Sequence, residues 1–346
     1  MNIKFITLAV ASSIAFPVSA ATVYKDSNTD FEIGGRVEGR ANFSDANKIE
    51  TDDNGDIIGN DNSTYEDMSR VRLNVQGKQK YNDNIAFVGR YEFELKEQNN
   101  GDVDINTRHL YVGTETNMGN LYYGHQNNAV TYLTDWTDQA ETYSGYTNEY
   151  TVASADRAKN VIRYAITTPE GITFQADGNF SNDKNSTGYG VALAYEVNNL
   201  GVGVGYSASD QTYSWYNNIK RISYINPSQK HDSDTYYLAA KYSFDGFYGA
   251  AMYQGGKIAD SDFYAIDAFA SYTFGDNMVD ISYNKYSADD YNFLDIEFIG
   301  IEYARYMGNF AAYVSYKFDL VDAVPDVAYL GDNTDDELML GVRYSF

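Results

Sequence analysis

Phe31-Glu32-Ile33-Gly34-Gly35-Arg36-Val37-Glu38-Gly39-Arg40-Ala41-Asn42-Phe43 changes character at every step. Its odd positions are apolar or small, and its even positions include Glu32, Arg36, Glu38, Arg40 and Asn42. Period two marks a strand with one apolar and one polar face. A helix would spread the same apolar residues around its whole circumference. The pattern returns downstream. Val71, Leu73 and Val75 oppose Arg70, Arg72, Asn74 and Gln76, while Phe87, Tyr91, Phe93 and Leu95 oppose Arg90, Glu92, Glu94 and Lys96.

Between such stretches, long polar segments alternate with tight turns. The long ones are 44–64, 97–104, 127–156, 182–187, 209–233, 255–261, 287–292 and 319–335. Short turns fall at Tyr81-Asn82-Asp83, Asn117-Met118-Gly119, Pro169-Glu170-Gly171, Val197-Asn198-Asn199, Asp245-Gly246, Gly275-Asp276 and Met307-Gly308-Asn309. Asn, Asp and Gly there supply the positive φ that short hairpins need. Beyond residue 20 the prolines (Pro169, Pro227, Pro325) lie only in connections, as strands demand. Eight long and seven short links imply sixteen strands, with both ends of the sheet on one side.

Composition says what surrounds those strands. The 346 residues include 34 Tyr, 18 Phe and 2 Trp, yet the mean hydropathy is -0.48. A bundle of spanning helices, each about 20 apolar residues long, is excluded. A barrel with apolar residues toward lipid and polar residues toward a lumen reconciles the two. Aromatic pairs such as Tyr91/Phe93, Tyr242/Phe244, Tyr272/Phe274 and Tyr316/Phe318 fit interfacial girdles.

Residues 1–20 read as a cleaved signal peptide. Lys4 begins it, Ile6 to Phe16 form a short apolar run, and Val18-Ser19-Ala20 supplies small residues for cleavage. The remaining 21–346 show no internal boundary and form a single barrel domain. Cysteine is absent and histidines number three (His109, His125, His231), so neither disulfides nor a zinc site is expected, and no metal or cofactor is assigned. Asp and Glu total 49 against 25 Lys and Arg, for a net charge of -24. That balance excludes nucleic acid as a partner. The acidic segments Asp52-Asp53-Asn54-Gly55-Asp56 and Asp332 to Glu337 read either as solvated loops or as collectors of divalent cations beside lipopolysaccharide.

The chain ends Leu338-Met339-Leu340-Gly341-Val342-Arg343-Tyr344-Ser345-Phe346, alternating to a terminal aromatic. Together with Gly35-Arg36-Val37-Glu38, Val71-Arg72-Leu73, Thr107-Arg108 before Tyr111-Val112-Gly113, Gly119 to His125, and Asn160-Val161-Ile162-Arg163-Tyr164, it resembles the general diffusion porins of Gram-negative bacteria. The resemblance runs over all of 21–346. It implies an all-β, 16-stranded antiparallel up-and-down transmembrane barrel, in the outer membrane, whose third external loop folds inward. It implies a homotrimer among outer-membrane lipid and lipopolysaccharide, with Tyr344 and Phe346 read by the barrel assembly machinery.

The inward loop corresponds to 127–156, where Asp135-Trp136-Thr137-Asp138 and Glu141 resemble the family's acidic motif. By the same resemblance Asp138 and Glu141 face a basic ladder of Arg36, Arg72, Arg108 and Arg157. Arg40, Arg70, Arg90, Arg163 and Glu38 are secondary lumen candidates. A transverse field from such walls orients polar solutes and sorts ions. A second reading has these arginines simply paired with lumen carboxylates such as Glu38 or Glu92. Two departures stand out: Ala140-Glu141-Thr142-Tyr143-Ser144-Gly145 replaces the family's Pro-Glu-Phe-Gly-Gly, and His125 occupies a basic position.

The expected function is passive diffusion of ions and small hydrophilic solutes with mild cation preference. A substrate-specific channel is the alternative, its slide formed by Tyr213, Trp215, Tyr216 and Tyr224. A barrel enzyme is the remote one, since His109 in a strand and His231 in a loop have no serine motif nearby. Outward Gly35, Gly39, Gly77, Gly89 and Gly113 would let barrels pack closely or would ease curvature.

Overall fold

The computed structural model describes residues 21–51, 57–60, 63–97, 103–150, 154–180, 187–212, 230–290, 295–321 and 335–346. The leader 1–20, the acidic 52–56, Asp332 and the aromatics Tyr213, Trp215, Tyr216 and Tyr224 lie outside them.

Sixteen strands form one antiparallel sheet that closes on itself. The first four are β1 (Thr29–Ser44), β2 (Arg70–Asn82), β3 (Ile85–Glu97) and β4 (Val103–Thr116). Next come β5 (Gly119–Asn127), β6 (Arg157–Thr167), β7 (Ile172–Asn179) and β8 (Gly188–Val197). The far wall holds β9 (Leu200–Thr212), β10 (Lys230–Phe244), β11 (Phe247–Ile258) and β12 (Ser261–Phe274). The circuit ends with β13 (Asn277–Ala288), β14 (Ile296–Met307), β15 (Phe310–Asp319) and β16 (Glu337–Ser345). Each pairs with its sequence neighbour, and β16 returns to β1 in the register Arg36↔Ser345 to Ser44↔Glu337. Closure removes every sheet edge, which is what allows strands to cross hydrocarbon.

The seam is made by both ends of the described chain. Phe346 continues the ladder, its N–H donating to Gly35 O at 3.0 Å and its O accepting from Gly35 N at 2.9 Å. Immediately below, the short strand Ala21–Lys25 takes over the same edge, with Ala21 opposite Ile33. Gly35 is required at this junction. A Cβ there would lie 2.5 Å from Arg72 O and 3.1 Å from the Phe346 ring.

The alternation separates the faces as expected. On β9, Val202 and Val204 point outward and are exposed, while the alternating Gly201 and Gly203 are buried inside. Aromatic pairs recur on the outer face, among them Tyr272/Phe274 and Tyr316/Phe318 at centroid distances of 6.1 and 4.6 Å.

Three expectations are corrected. Segment 255–261 is not a long loop: β11 and β12 pair to Ile258↔Ser261, leaving the two-residue turn Ala259-Asp260 with φ of 50° and 70°. Gly255 and Gly256 belong to the strand, and a Cβ on Gly255 would meet the Tyr236 hydroxyl at 2.5 Å. His231 likewise sits in β10 rather than in a loop, its Nδ1 2.7 Å from Asp260 Oδ2. Third, Gly113 does not face outward. Between β3 and β4 the register slips from Glu92↔His109 to Phe93↔Thr107, so Arg108 is a bulge. An extra residue reverses the alternation beyond it, turning Tyr111, Gly113 and Glu115 inward while Leu110 and Val112 are exposed.

Candidate functional site: the loop-lined lumen

The third long connection, described over 128–150 and 154–156, folds into the barrel and lies on its inner wall. Sequence prepares the seat. The run Leu200-Gly201-Val202-Gly203-Val204-Gly205 on β9 puts glycine on every lumen position. Leu133, in the one-turn helix α1 (Thr131–Thr134), fills the groove this leaves. Its Cδ2 would be 2.4 Å from a Cβ on Gly203, and its Cδ1 would be 3.1 Å from one on Gly205. Around it Val130, Leu133 and Trp136 bury themselves against Ala192, Ala194, Tyr237, Tyr248 and Phe269. Such packing replaces water on about one apolar side chain per turn of loop, each contributing roughly 1.5–3 kcal/mol.

Polar contacts fix the loop's position along the wall. Ala129 N donates to Asp177 Oδ1 (2.6 Å), and Tyr248 OH to Trp136 O (2.7 Å). Lys241 lies 4.4 Å from the Trp136 ring centroid and 2.8 Å from Glu196, which also accepts from Tyr132 OH. Farther along, Thr147 donates to Asp267, and Gln254 Nε2 to Thr147 Oγ1 at 2.7 Å. Tyr143 packs against Phe298 over Gly300, where a Cβ would stand 2.8 Å from Tyr143 Cβ.

The loop tip reaches the seam wall. Glu141 N donates to Glu302 Oε1 at 2.9 Å and Thr142 OH to Glu302 Oε2 at 2.9 Å. The Glu141 carboxylate pairs with Arg343 on β16 and accepts from Tyr306 OH (3.1 Å); its carbonyl accepts from Arg40 Nη2 (2.7 Å). Arg343, quoted in the C-terminal strand but not among the candidate site residues, is therefore the loop's fastening point. Its parity was available: Met339, Gly341 and Arg343 alternate inward against the exposed Leu340, Val342 and Tyr344.

The loop thus covers the inner wall from β7 to β16 and touches β1 through Arg40 and Asn42, while β2 to β6 line the wall away from it. The open wall is where the sequence-derived arginines converge. Arg36 and Arg72 stand directly opposite each other in register. Arg108 follows on β4, held at 2.9 Å by Glu92, and Arg157 and Arg163 on β6 complete the arc. Arg163 lies 5.5 Å over the Tyr122 ring.

Carboxylates are interleaved among them. Glu38 is bonded by Arg40 (3.0 Å), Arg70 (2.5 Å) and Tyr313 OH (2.6 Å), with Arg36 at 3.8 Å. Glu94 takes Arg72 at 2.5 Å and Arg70 at 3.8 Å, and Glu92 takes Arg90 as well as Arg108. Arg36, Arg40, Arg70, Arg72, Arg90 and Arg108 are thus each paired with Glu38, Glu92 or Glu94, as the second reading of these arginines has it.

Across the opening the loop shows Asp135 and Asp138, both exposed, with Asp138 Oδ1 accepting from Ser144 OH at 3.3 Å. Enclosure by the barrel pushes the Asp135 carboxyl above its ordinary range, the neighbouring Asp138 and Asp156 push it further, and Arg157 and Arg163 pull it back. Asp138 and Glu141, expected together, have been separated: one faces the water and the other is clasped by the wall. Among the described residues no three His, Cys, Asp or Glu come together in a way that would hold a metal ion.

A closed sixteen-stranded barrel, with a long loop folded against one inner wall and arginines along the other, defines a transmembrane pore. A family description, Gram-negative porin, matches residues 7–346, and the chain belongs to that family of outer-membrane proteins. It is 32% identical over 363 residues to porin-like protein L of Photobacterium profundum, covering all of both chains. Among solved structures, OmpF of Salmonella typhi in complex with daunomycin superposes with a TM-score of 0.76 at 22% identity, covering 94% of this chain and all of that one. The trimer form of OmpT of Vibrio cholerae gives 0.68 at 14%, covering 92% of this chain and all of that one.

Proposed function

We propose that this porin is a general diffusion channel for ions and small hydrophilic solutes, mildly cation-preferring, with its constriction between the inward loop and the β1–β6 wall. What supports this is the placement of charge: arginines Arg36, Arg72, Arg108 and Arg157 stand on β1, β2, β4 and β6, and the inward loop carries Asp135, within electrostatic reach of Arg157 and Arg163, and Asp138. Fixed charges of opposite sign across a narrow aqueous gap act on every solute dipole that passes. Arg40, Arg70, Arg90, Arg163 and Glu38 form the next shell, and Glu141 contributes by holding the loop tip. Cation preference is favoured by the net charge of -24.

In this reading residues 1–20 are removed during export. Tyr344 and Phe346 present the C-terminal strand to the assembly machinery, and the barrels associate as a homotrimer amid lipopolysaccharide. The trimer form of the Vibrio cholerae protein supports that assembly. The test is planar-bilayer recording of the purified protein across a salt gradient. Conductance steps in threes with a cation-side reversal potential are expected. A protein that inserts and never conducts ohmically refutes the reading.

A further inference from the structure

Toward the short turns from the Arg108 bulge, the lumen wall turns aromatic. His109 stands opposite the inward Glu92, and the bulge brings Tyr111 to the same face. Re-aiming a side chain is what bulges beside a site do. On β5, Tyr122 points inward between the exposed Leu121 and Tyr123. The ring centroids of His109 and Tyr111 lie 6.1 Å apart and those of Tyr111 and Tyr122 5.4 Å, both pairs edge to face. We infer that this aromatic run, ended by Arg163 on β6, is a binding site on the pore wall for flat anions, of the class of an aromatic ring bearing a carboxylate.

The tyrosines are seated rather than loose. Across the β4–β5 pair each one faces a glycine, Tyr111 opposite Gly124 and Tyr122 opposite Gly113. A Cβ on Gly113 would stand 2.4 Å from Tyr122 Cδ1, and one on Gly124 3.0 Å from Tyr111 Cβ. Tyr122 OH donates to Glu115 at 3.3 Å and fixes the far end of that ring. Two rings held at 71° to each other leave an angle that a third ring fills with one face and one edge, the arrangement aromatic groups prefer.

Arg163 supplies the charge. It faces Tyr122 in register, with its guanidinium 5.5 Å over that ring. Its hydrogen bond is a long one, from Nη1 to Gln175 Oε1 at 3.4 Å. Among the described residues it is the one lumen arginine without an ion pair; the others are taken by Glu38, Glu92, Glu94, Glu141 or Asp156. Asp177, beside it on β7, is engaged by the loop through Ala129 N. Asp177 and Asp135 act on Arg163 through space, but neither pairs with it. A planar fork without a carboxylate of its own takes one from a solute in two parallel bonds, while the tyrosines take the ring.

This inference rests on the diffusion-pore reading and names a class of solute that the pore holds in passing. The test is open-channel current noise in planar bilayers in potassium chloride. The flat probe is 2-naphthoate, and decahydro-2-naphthoate is its puckered counterpart of equal charge. In wild type 2-naphthoate is expected to give saturable noise, with an affinity about 2- to 10-fold tighter than its counterpart. Arg163→Gln should weaken both probes about 10- to 100-fold, and Arg163→Lys, which keeps the charge without the fork, by less. Tyr111→Leu should weaken 2-naphthoate alone and erase the difference between the probes. If Arg163→Gln fails to assemble, that difference in wild type and Tyr111→Leu still decides. Channels that conduct but treat the two probes alike, or variants that all bind 2-naphthoate as wild type does, overturn this inference and leave the pore reading intact. A wild-type protein without ohmic current overturns both.

Discussion

Gly203→Ala tests whether the loop seat is written into the barrel wall. The new Cβ would stand 2.4 Å from Leu133 Cδ2 and 3.3 Å from Trp136 Cη2, and Leu133 is fully buried with Gly205 closing its other side. Ordinary contact requires the leucine to retreat by about 1 Å, and the only direction left is toward the lumen. Overpacking of this kind costs about 1–3 kcal/mol. Leu133→Ala alone removes the buried side chain and costs about 2–5 kcal/mol. Combined, the alanine at 203 occupies space the missing leucine vacates, so the pair is expected to fall short of the sum by about 0.5–3 kcal/mol. Urea unfolding of the four proteins in one detergent measures that coupling, and single-channel conductance should drop in Gly203→Ala and recover in the double variant. Val204→Ala, one position away on the outer face, is the control and leaves conductance unchanged. Strict additivity, with Gly203→Ala conducting as wild type, would show that the loop does not lean on this groove.

Glu141→Gln leaves Arg343 without its counter-charge and is expected to loosen the loop tip by about 1.5–3 kcal/mol. Increased open-channel current noise reads this, and silence as quiet as wild type counts against the clasp. The Asp135 carboxyl, raised by enclosure and by Asp138 and Asp156, takes up its proton at higher pH than an ordinary aspartate. Negative charge at the loop is therefore lost as pH falls through that raised value, and cation preference should weaken above the usual carboxylate range. Asp135→Asn should abolish that titration; a variant that still titrates there assigns it to another group. Deleting Phe346 removes the paired N–H and C=O at the seam beside Gly35 and should lower the yield of heat-resistant folded barrel, scored by gel mobility.

Much of the architecture was legible because a barrel repeats one local rule. Asn198, Asp245 and Gly246, Gly275 and Gly308 take the positive φ their turns demand, and those four turns alone phase half of the strands. Ala259-Asp260 escaped because alanine is a poor left-handed residue, tolerated where buried packing overrides it. Gly113 was misassigned because alternation has no local marker for a bulge. At the site, the inward parity of Arg36, Arg72 and Glu38 was readable from alternation alone, whereas Glu141 and Asp138 parted company through contacts of Glu141 with Tyr306 and Arg343, 165 and 202 residues away. The glycine run of β9 was legible as a motif, but its purpose needed the loop beside it.

Arg108 has a consequence of its own. A chain that sorts its side chains by odd and even behaves like a text read in twos, and the bulge acts as a frameshift within it. Deleting this one residue would leave composition and mean hydropathy almost untouched, yet the ladder can then stay in step only if one side of the strand turns over. Were it the stretch below, His109, Tyr111 and Glu115 would be carried into hydrocarbon and Leu110 and Val112 into water. A change of length is absorbed in a loop, where no frame is kept, whereas one residue added to or lost from the wall turns over every side chain on one side of it.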